Sequence, residues 1–374
     1  MGPLQGIKII EIAGIGPTQF CGMLLGDMGA DVLRIERSDM GESGIAIPPQ
    51  FNLMNRSRST LTADLKSEQG KALVLRLCEQ GDALFEGFRP GVMERLGLGP
   101  EECMRSNPKL VYGRMTGWGQ DGPLAQTAGH DANYIALSGV LGAIGEKDRD
   151  PVYPLILTGD LGGGALYLAM GVLAALLEAS RSGKGQVVDA AIVDGSNSLM
   201  TLFHGLMAAG LWRDQRGSNL LDGGVPFARP YRTKDDKHVV VQPLENRFFR
   251  TLIDLMEIAD IDAGRQYDPS YWPEIEMSLE KRFRQKTRDE WCELLEGSDA
   301  CFAPVLSLKE VGAHPHARAR GNMIEIAGVE QPAPAPRFSR TESVVSSPAG
   351  QSDSPSETLK RWGLGDSEIS RLKI

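Results

Sequence analysis

The chain has 374 residues, a formal net charge of −9, 41% hydrophobic residues and 24% charged residues. This composition is that of an ordinary folded protein and excludes a disordered, collagen-like or coiled-coil chain. The excess of acidic residues disfavours a nucleic acid partner, because binding to a phosphate backbone depends on cationic side chains. At ~150 residues per domain, the length corresponds to about two and a half domains.

The cysteines and the chain ends indicate the cellular compartment in which the protein is expected to reside. The five cysteines are widely spaced and form no C-x-x-C pair, so we expect a reducing environment without a disulfide framework or a metal site. The N-terminal residues lack the basic and apolar regions of a secretory signal, and the last three residues are not a peroxisomal address. We therefore expect a cytoplasmic protein that contacts no membrane.

The first third of the chain alternates short apolar runs with helical patterns. Strands are predicted at residues 7–12, 31–36, 61–65, 83–86 and 109–115, with helices at 18–28 and 67–80. Strands and helices that alternate in this way form a mainly parallel sheet with helices on both faces. The predicted fold class is therefore α/β.

The middle of the chain continues this pattern. It predicts a helix at about 131–141, a strand-like stretch that ends at Asp160, a helix at 162–180 and a strand at 186–192. The apolar run at 164–179 has about 16 residues. It is shorter than the ~20 residues that cross a bilayer, so we expect a buried helix. The Met-rich residues at 199–207 are expected to be core as well, and the alternative is an apolar surface that contacts a ligand.

Turn-forming and charged residues at 212–224 predict a domain boundary, after which a second domain begins near Val225. Its elements are a hairpin with strands at 231–233 and 238–242 and helices at 246–258, 274–283 and 287–295. The segment 331–355 is rich in Pro, Ala and Ser, which predicts an extended path over the surface.

Two glycine-rich motifs do not match nucleotide-binding fingerprints. Gly14 and Gly16 precede a helix, but Gln19 occupies the position of the third glycine in a dinucleotide fingerprint. In a P-loop, Gly183-Lys184 would be followed by Ser or Thr, and the next residue here is Gly185. Nicotinamide, flavin and P-loop nucleotide binding are therefore disfavoured.

Cationic side chains gather near the predicted strand ends of this acidic chain. Ligands of open α/β sheets bind at the carboxyl ends of strands, and arginine forms strong bonds with phosphate. As a group these residues favour a phosphate-rich ligand, although each alone fits a solvated surface. They are Arg34, Arg37, Arg56, Arg58, Lys66, Arg89 and Arg95.

Two residues are candidates for acid–base chemistry. His130 lies between a Gly/Pro-containing loop and a helix start, where a neutral imidazole can serve as a base. Asp160 follows apolar residues and precedes three glycines, so it is either a helix cap or a functional carboxylate, or both. By pattern alone, Glu245 is an ordinary carboxylate at a helix start.

A set of motifs spread over nearly the whole chain resembles the family III CoA transferases of the CaiB/BaiF type. Within that superfamily, the set is most similar to members that racemise 2-methylacyl-CoA thioesters. The motifs are GIGP (14–17), LGDMGADVLRIER (25–37), TADLK (62–66), EGFRPGVMERLGLGP (86–100), MTGWGQDGP (115–123), AGHDANYIALSG (128–139), GDLGGG (159–164), GKGQVVDAAIVDGS (183–196), LDGGVPF (221–227), LEN (244–246) and PAPRFSR (334–340).

The resemblance implies a Rossmann-like large domain, a smaller α+β domain and a homodimer of interlocked chains. The large domain would comprise residues 1–200 and a returning C-terminal segment, 330–374, with a linker at 201–224 and the small domain at 225–329. The active site would lie between one chain's large domain and the small domain of its partner. The CoA part of the substrate would contact Arg37, Ala63, Asp64, Leu65, Lys66, Gly87, Phe88, Arg89, Arg95, Gly129, Asp131 and Tyr134.

The resemblance also implies a reaction that needs no separate cofactor. His130 and Asp160 would exchange the C2 proton of a 2-methylacyl-CoA through an enolate, and Glu245 would support His130 across the dimer. Backbone N–H groups at residues 160–162 are candidate donors to the enolate oxygen. The alternatives are a CoA transferase in which Asp160 forms an acyl anhydride, a CoA-thioester binding protein without catalysis and, more distantly, a nicotinamide oxidoreductase.

Overall fold

The structure, a computed structural model, describes residues 2–37 and 45–372. In these ranges the strands are β1 (Lys8–Ile12), β2 (Asp31–Glu36), β3 (Ser59–Thr62), β4 (Ala83–Glu86), β5 (Val111–Thr116), β6 (Val187–Ala191), β7 (Arg229–Arg232), β8 (His238–Val241), β9 (Phe302–Pro304), β10 (Met323–Ile326) and β11 (Val329–Pro332). The helices of the first 200 residues are α1 (Pro17–Asp27), α2 (Glu68–Cys78), α3 (Val92–Arg95), α4 (Pro100–Ser106), α5 (Asp131–Leu137), α6 (Val140–Ala143), α7 (Leu166–Ser182) and α8 (Ile192–Leu199). They are followed by α9 (Thr201–Ala208), α10 (Asn246–Leu255), α11 (Trp272–Phe283), α12 (Arg288–Leu295), α13 (Pro315–Arg320), α14 (Pro355–Arg361) and α15 (Asp366–Leu372). Single 3-10 turns lie at Pro49–Phe51, Leu53–Asn55, Ala263–Arg265, Pro269–Tyr271 and Val311–Ala313.

The predicted parallel sheet is confirmed. Strands β1 to β6 form one sheet in the order β3-β2-β1-β4-β5-β6, and all neighbouring strands run parallel. This is the order of a doubly wound nucleotide-binding fold. Its direction of winding reverses between β1 and β4, and the crevice at that point is where ligands bind in such sheets.

Helices cover both faces of this sheet, because successive strand residues point to opposite sides. On one face, Ile10 of β1 packs in a cluster with Leu77 of α2 and Trp362. On the other face, Ile9 packs in a cluster with Cys21 of α1 and Val172 of α7. The two apolar clusters account for the near-continuous apolar sequences of these strands.

The chain forms two compact units. One unit comprises Met1–Val140, Pro154–Met200 and Gly321–Ile374, and the other comprises Leu141–Tyr153 and Thr201–Arg320. The second unit therefore includes residues 201–224, which were predicted to be a linker, and a short excursion at 141–153 that no sequence pattern predicted. The excursion leaves and re-enters the first unit between α5 and Asp160.

The second unit is built on an antiparallel sheet in the order β7-β8-β9. The predicted hairpin corresponds to β7 and β8, and the three predicted helices correspond to α10, α11 and α12. Its core is rich in aromatic side chains, including Phe227, Phe249, Phe283 and Trp291, all of them fully buried. This unit is the α+β part of the chain.

The predicted strand that ends at Asp160 is wrong. Residues 151–156 form no strand, and a π-helical segment, Leu157–Ala165, leads directly into α7. A π-helix needs backbone hydrogen bonds at five-residue spacing, and it is often found at functional sites. Gly195 of α8 has no side chain, which allows its backbone to approach that of Gly163 in the π-helical segment.

The apolar helix is longer and less buried than predicted. By length and composition the continuous helix Leu157–Ser182, 26 residues long, could cross a membrane. One of its faces packs in the core through Leu168 and Val172, whereas Met170 and Leu177 on the other face are exposed. The expected core role of residues 199–207 is also wrong, because α9 has no buried residue.

Candidate active site

The predicted CoA contacts lie at one edge of the parallel sheet. Arg37 directly follows β2, residues 63–66 follow β3, residues 87–89 follow β4, and residues 129–134 come after the loop that leaves β5. The carboxyl ends of parallel strands share one edge of the sheet. The structure therefore brings to this edge residues that are far apart in the sequence.

Asp160 lies beside the loop between β1 and α1, at the point where the winding of the sheet reverses. A Cβ atom added to Gly16 would lie 2.8 Å from Asp160 Oδ2. Gly16 has a φ of +67°, which side chains rarely tolerate. Gly16 belongs to the family motif GIGP, but the motif alone did not predict its approach to Asp160.

Asp131 connects the two candidate acid–base residues. Its Oδ1 accepts a hydrogen bond from the backbone N–H of Asp160 at 2.6 Å, and it directly follows His130 in the chain. Asp131 is only 3% exposed, and its Oδ2 finds no hydrogen-bond partner among the described residues. Burial, and then the negative charge of Asp131, raise the pKa of Asp160 to about 6.

His130 precedes the first turn of α5 and is exposed. Its backbone N–H donates to Asn133 Oδ1 at 3.0 Å, which fixes the main chain at the start of the helix. The imidazole is therefore accessible, while the backbone that carries it is held in place.

Tyr134 holds the loop that precedes His130. Its hydroxyl donates to the carbonyl oxygen of Gly129, and its ring meets that of Trp118 edge to face, with centroids 4.7 Å apart. Burial, followed by the charge of Asp160, raises the pKa of Tyr134, whereas the charge of Arg89 lowers it. Tyr134, Asp160 and Arg89 are thus within electrostatic range of one another.

The expected oxyanion donors at residues 160–162 are largely engaged in other bonds. The N–H of Asp160 donates to Asp131, and the N–H of Leu161 donates to the carbonyl oxygen of Ile156 at 3.1 Å. The Leu161 bond follows from the π-helical backbone, which pairs its amides at five-residue spacing, whereas the Asp160 amide is taken by the Asp131 side chain. In this structure these two amides are not available to a substrate oxygen.

Three of the seven predicted cations are structural. Arg34 and Arg58 both pair with Glu11 of β1, and Arg56 pairs with Asp27 at 2.7 Å. All three arginines are at most 4% exposed. Glu11 and Arg34 are paired in register across β1 and β2, and that pairing cannot be seen without the alignment of the strands.

The other four cations, Arg37, Lys66, Arg89 and Arg95, are exposed. Arg89 is held by a weak bond, since its Nη1 lies 3.4 Å from the carbonyl oxygen of Gln126. Their charges are free to meet phosphate groups at the carboxyl edge. Among the residues that the structure describes, no cluster of three or more His, Cys, Asp or Glu could hold a metal ion.

The remaining predicted residues vary in exposure. Ala63, Leu65 and Tyr134 are buried, Asp64 and Gly87 are exposed, and Phe88 and Gly129 are half-buried. Glu245 is exposed and precedes the first turn of α10 in the second unit. Asp131 differs most from its predicted role, because its buried carboxylate binds the Asp160 main chain.

Similarity to known proteins identifies the family of the chain. The model of CoA-transferase family III matches residues 4–353. The chain is 40% identical to alpha-methylacyl-CoA racemase of Mus musculus and 39% identical to that of Homo sapiens, over 99% of this chain and 96% of each relative. These relatives are isomerases, so the resemblance seen in the motifs is confirmed.

A solved structure has the same fold. The crystal structure of a CAIB/BAIF family protein from Brucella suis superposes with a TM-score of 0.81 at 26% identity, covering 96% of this chain and 99% of that one. The six-stranded parallel sheet and the mixed α/β organisation are therefore those of the family. On its motifs, its fold and its relatives, the chain belongs to CoA-transferase family III.

Proposed function

We propose that this chain is a racemase that interconverts (R)- and (S)-2-methylacyl-CoA thioesters, with His130 and Asp160 as the acid–base pair. The single observation that carries the proposal is the bond from Asp160 N–H to Asp131, because it places Asp160 next to the residue that follows His130. The names of the two mammalian relatives supply the substrate class.

Inversion at C2 requires a base on one face of that carbon and an acid on the other. The unprotonated member of the pair removes the C2 proton, and the electron pair moves onto the thioester oxygen to give an enolate. The protonated member then delivers its proton to C2 from the opposite face. After one turnover the proton has moved from one side chain to the other, and the reverse reaction restores it.

The pKa of Asp160 suits a residue that acts as a base in one direction of the reaction and as an acid in the other. With a pKa of about 6, Asp160 is mostly ionised at pH 7 but still gains a proton readily. A catalytic group with a pKa near the working pH is the most effective acid or base, and such help is worth about 10² to 10⁴ in rate.

The CoA part of the substrate would bind along the carboxyl edge of the sheet. Arg37, Lys66, Arg89 and Arg95 offer exposed positive charge there, on a chain with a net charge of −9. Arginine and lysine suit the phosphate groups of CoA. CoA belongs to the substrate in this proposal, so no further cofactor takes part.

The functional unit would be a homodimer of interlocked chains. An apolar stripe on α7 is exposed in the single chain, with Leu166, Met170 and Leu177 each at least 50% exposed. A second copy of the chain would cover this stripe and bring its own Glu245 to His130. The carboxylate of Glu245 is exposed, as such a contact requires.

The test is epimerisation of a pure (R)-2-methylacyl-CoA in deuterated water. Wild-type protein is expected to lose optical purity and to place deuterium at C2 at the same time. His130→Ala and Asp160→Ala should each lower both rates by at least about 10². Retention of full activity in either variant would rule out the proposed pair.

The second candidate is CoA transfer between carboxylic acids, which the description of the matched family favours. Asp160 would then attack the thioester carbonyl, release CoA as a thiolate and form an acyl anhydride. Hydroxylamine added during turnover would convert this anhydride into an Asp160 hydroxamate. Trapping of that product, without deuterium at C2, would decide for the transferase.

A further inference from the structure

The loop between β4 and α3 is anchored at both ends to one arginine of the neighbouring strand. Glu86, the last residue of β4, is paired in register with Arg114 of β5, and Glu86 Oε1 lies 3.5 Å from Arg114 Nε. Arg114 Nη2 lies 2.8 Å from Glu94 Oε1 in α3. Residues 87–91 therefore run between two carboxylates that share one guanidinium group.

Glu86 also holds the loop directly. Its Oε2 accepts the backbone N–H of Phe88 at 2.6 Å, and the side chain is only 1% exposed. Arg114 Nε is buried and makes no hydrogen bond to any described residue. Arg114 therefore attracts Glu86 mainly through charge, and the strength of this attraction depends on the ionisation of Glu86.

Two further titratable groups in the described part of the chain lie near this carboxylate. Glu94 contributes a second negative charge from α3, and Tyr112 of β5 lies within electrostatic range with its hydroxyl donating to Leu98 O at 2.9 Å. Burial is the largest effect and raises the pKa of Glu86 to about 7. The hydrogen bond from the Phe88 N–H and the positive charge of Arg114 act in the opposite direction. The carboxyl group therefore gains or loses its charge near neutral pH.

We propose that Glu86 is a positioning residue that holds Gly87, Phe88 and Arg89 in the arrangement that binds the CoA part of the substrate. This role rests on the proposed function. When Glu86 is protonated, it no longer attracts Arg114, and a neutral carboxyl group is a weaker acceptor for the Phe88 N–H. The affinity for CoA then declines as the pH falls from 8 to 6.

The test is equilibrium binding of dephospho-CoA to the full chain by calorimetry between pH 6 and pH 8. This probe lacks the phosphate monoester of CoA, a group that itself titrates near pH 6. A site that binds only when Glu86 is ionised loses up to about tenfold in affinity per pH unit below the pKa. We expect the Kd of the wild-type protein to rise about fivefold from pH 8 to pH 6.

Glu86→Gln keeps the size of the side chain and a carbonyl for the Phe88 N–H but removes the charge. It should bind several-fold more weakly at pH 8, lose the pH dependence and raise KM more than it lowers kcat. Glu94→Gln is the matched control, because it removes the other carboxylate of Arg114 but keeps Glu86. Its affinity should still decline as the pH falls, with the midpoint at a lower pH than in the wild-type protein, because the negative charge that raises the pKa of Glu86 is lost.

A flat wild-type curve, or a Glu86→Gln variant with the wild-type pH dependence, would overturn the inference. If Glu86→Gln does not fold, the wild-type and Glu94→Gln curves still decide the question. Failure of the wild-type protein to bind either CoA or dephospho-CoA at any pH would refute the proposed function as well. Binding of both without pH dependence would refute only the role of Glu86.

Discussion

Asp131 holds the backbone of Asp160 through a hydrogen bond of 2.6 Å while its own charge opposes the ionisation of that residue. The two effects can be separated by substitution. Asp131→Asn retains an oxygen for the Asp160 N–H but removes the charge, so the pKa of Asp160 should fall below 6. We expect the acid limb of the pH–rate profile for C2 deuterium exchange to move down by roughly half a unit to one unit.

Asp131→Ala removes the acceptor as well and should be more damaging. An unsatisfied buried N–H costs about 1 to 3 kcal/mol, and a misplaced catalytic carboxylate costs about 10² in turnover. The exchange rate at pH 8, where Asp160 is ionised in all forms, separates the variants. Equal rates for the Asn and Ala variants would show that the hydrogen bond does not position Asp160.

Gly16 leaves room for the Asp160 carboxylate. In Gly16→Ala the new methyl group would lie 2.8 Å from Asp160 Oδ2, so the carboxylate must shift. We expect turnover to fall by about 10². The positive φ adds a destabilisation of about 1 to 2 kcal/mol, measured by urea denaturation.

Gly6→Ala is the matched control for that substitution. Gly6 has a φ of +89°, and an added Cβ meets nothing within 4 Å. It should show a similar loss of stability with wild-type turnover. If both variants lose turnover equally, backbone strain and not the approach to Asp160 is responsible.

The sheet could be predicted from the sequence because its strands are short, apolar and separated by helical patterns. β2 and β4 match their predicted bounds, since each lies between clear turn or helix signals. The π-helical segment could not be predicted in this way. Residues 151–160 have the composition of a strand, whereas the π-helical segment packs through Gly163 against α8, a contact distant in sequence that no local pattern shows.

The candidate site residues could be predicted only where they lie within family motifs. His130 and Asp160 follow from the resemblance to the family, and the structure places both near Asp131. The burial of Arg34, Arg56 and Arg58 was not predictable, because their partners Glu11 and Asp27 are distant in the sequence and meet them only in the folded chain. A charged residue at a strand end is ligand-facing or structural depending on what the neighbouring strand presents.

Arg58 and Arg89 are predicted to have opposite effects when replaced. Arg58→Met leaves a buried carboxylate, Glu11, with one partner fewer, and breaking such a pair costs about 3 to 5 kcal/mol. Arg89→Ala removes an exposed side chain and should change stability by less than about 0.5 kcal/mol. It should instead weaken CoA binding about tenfold or more, measured by calorimetry. A CoA defect in Arg58→Met without loss of stability would return Arg58 to the list of ligand contacts.

The proposed interlocking of two chains makes a kinetic prediction. Subunits that thread through each other cannot separate without unfolding, so a preformed dimer should not exchange subunits. The mass in solution should be twice the 40.5 kDa of the chain and should not change on dilution. When tagged and untagged dimers are mixed, we expect no mixed dimer over days, but mixed dimers after joint unfolding and refolding. Rapid exchange under native conditions would show that the exposed stripe of Leu166, Met170 and Leu177 forms an ordinary, separable interface.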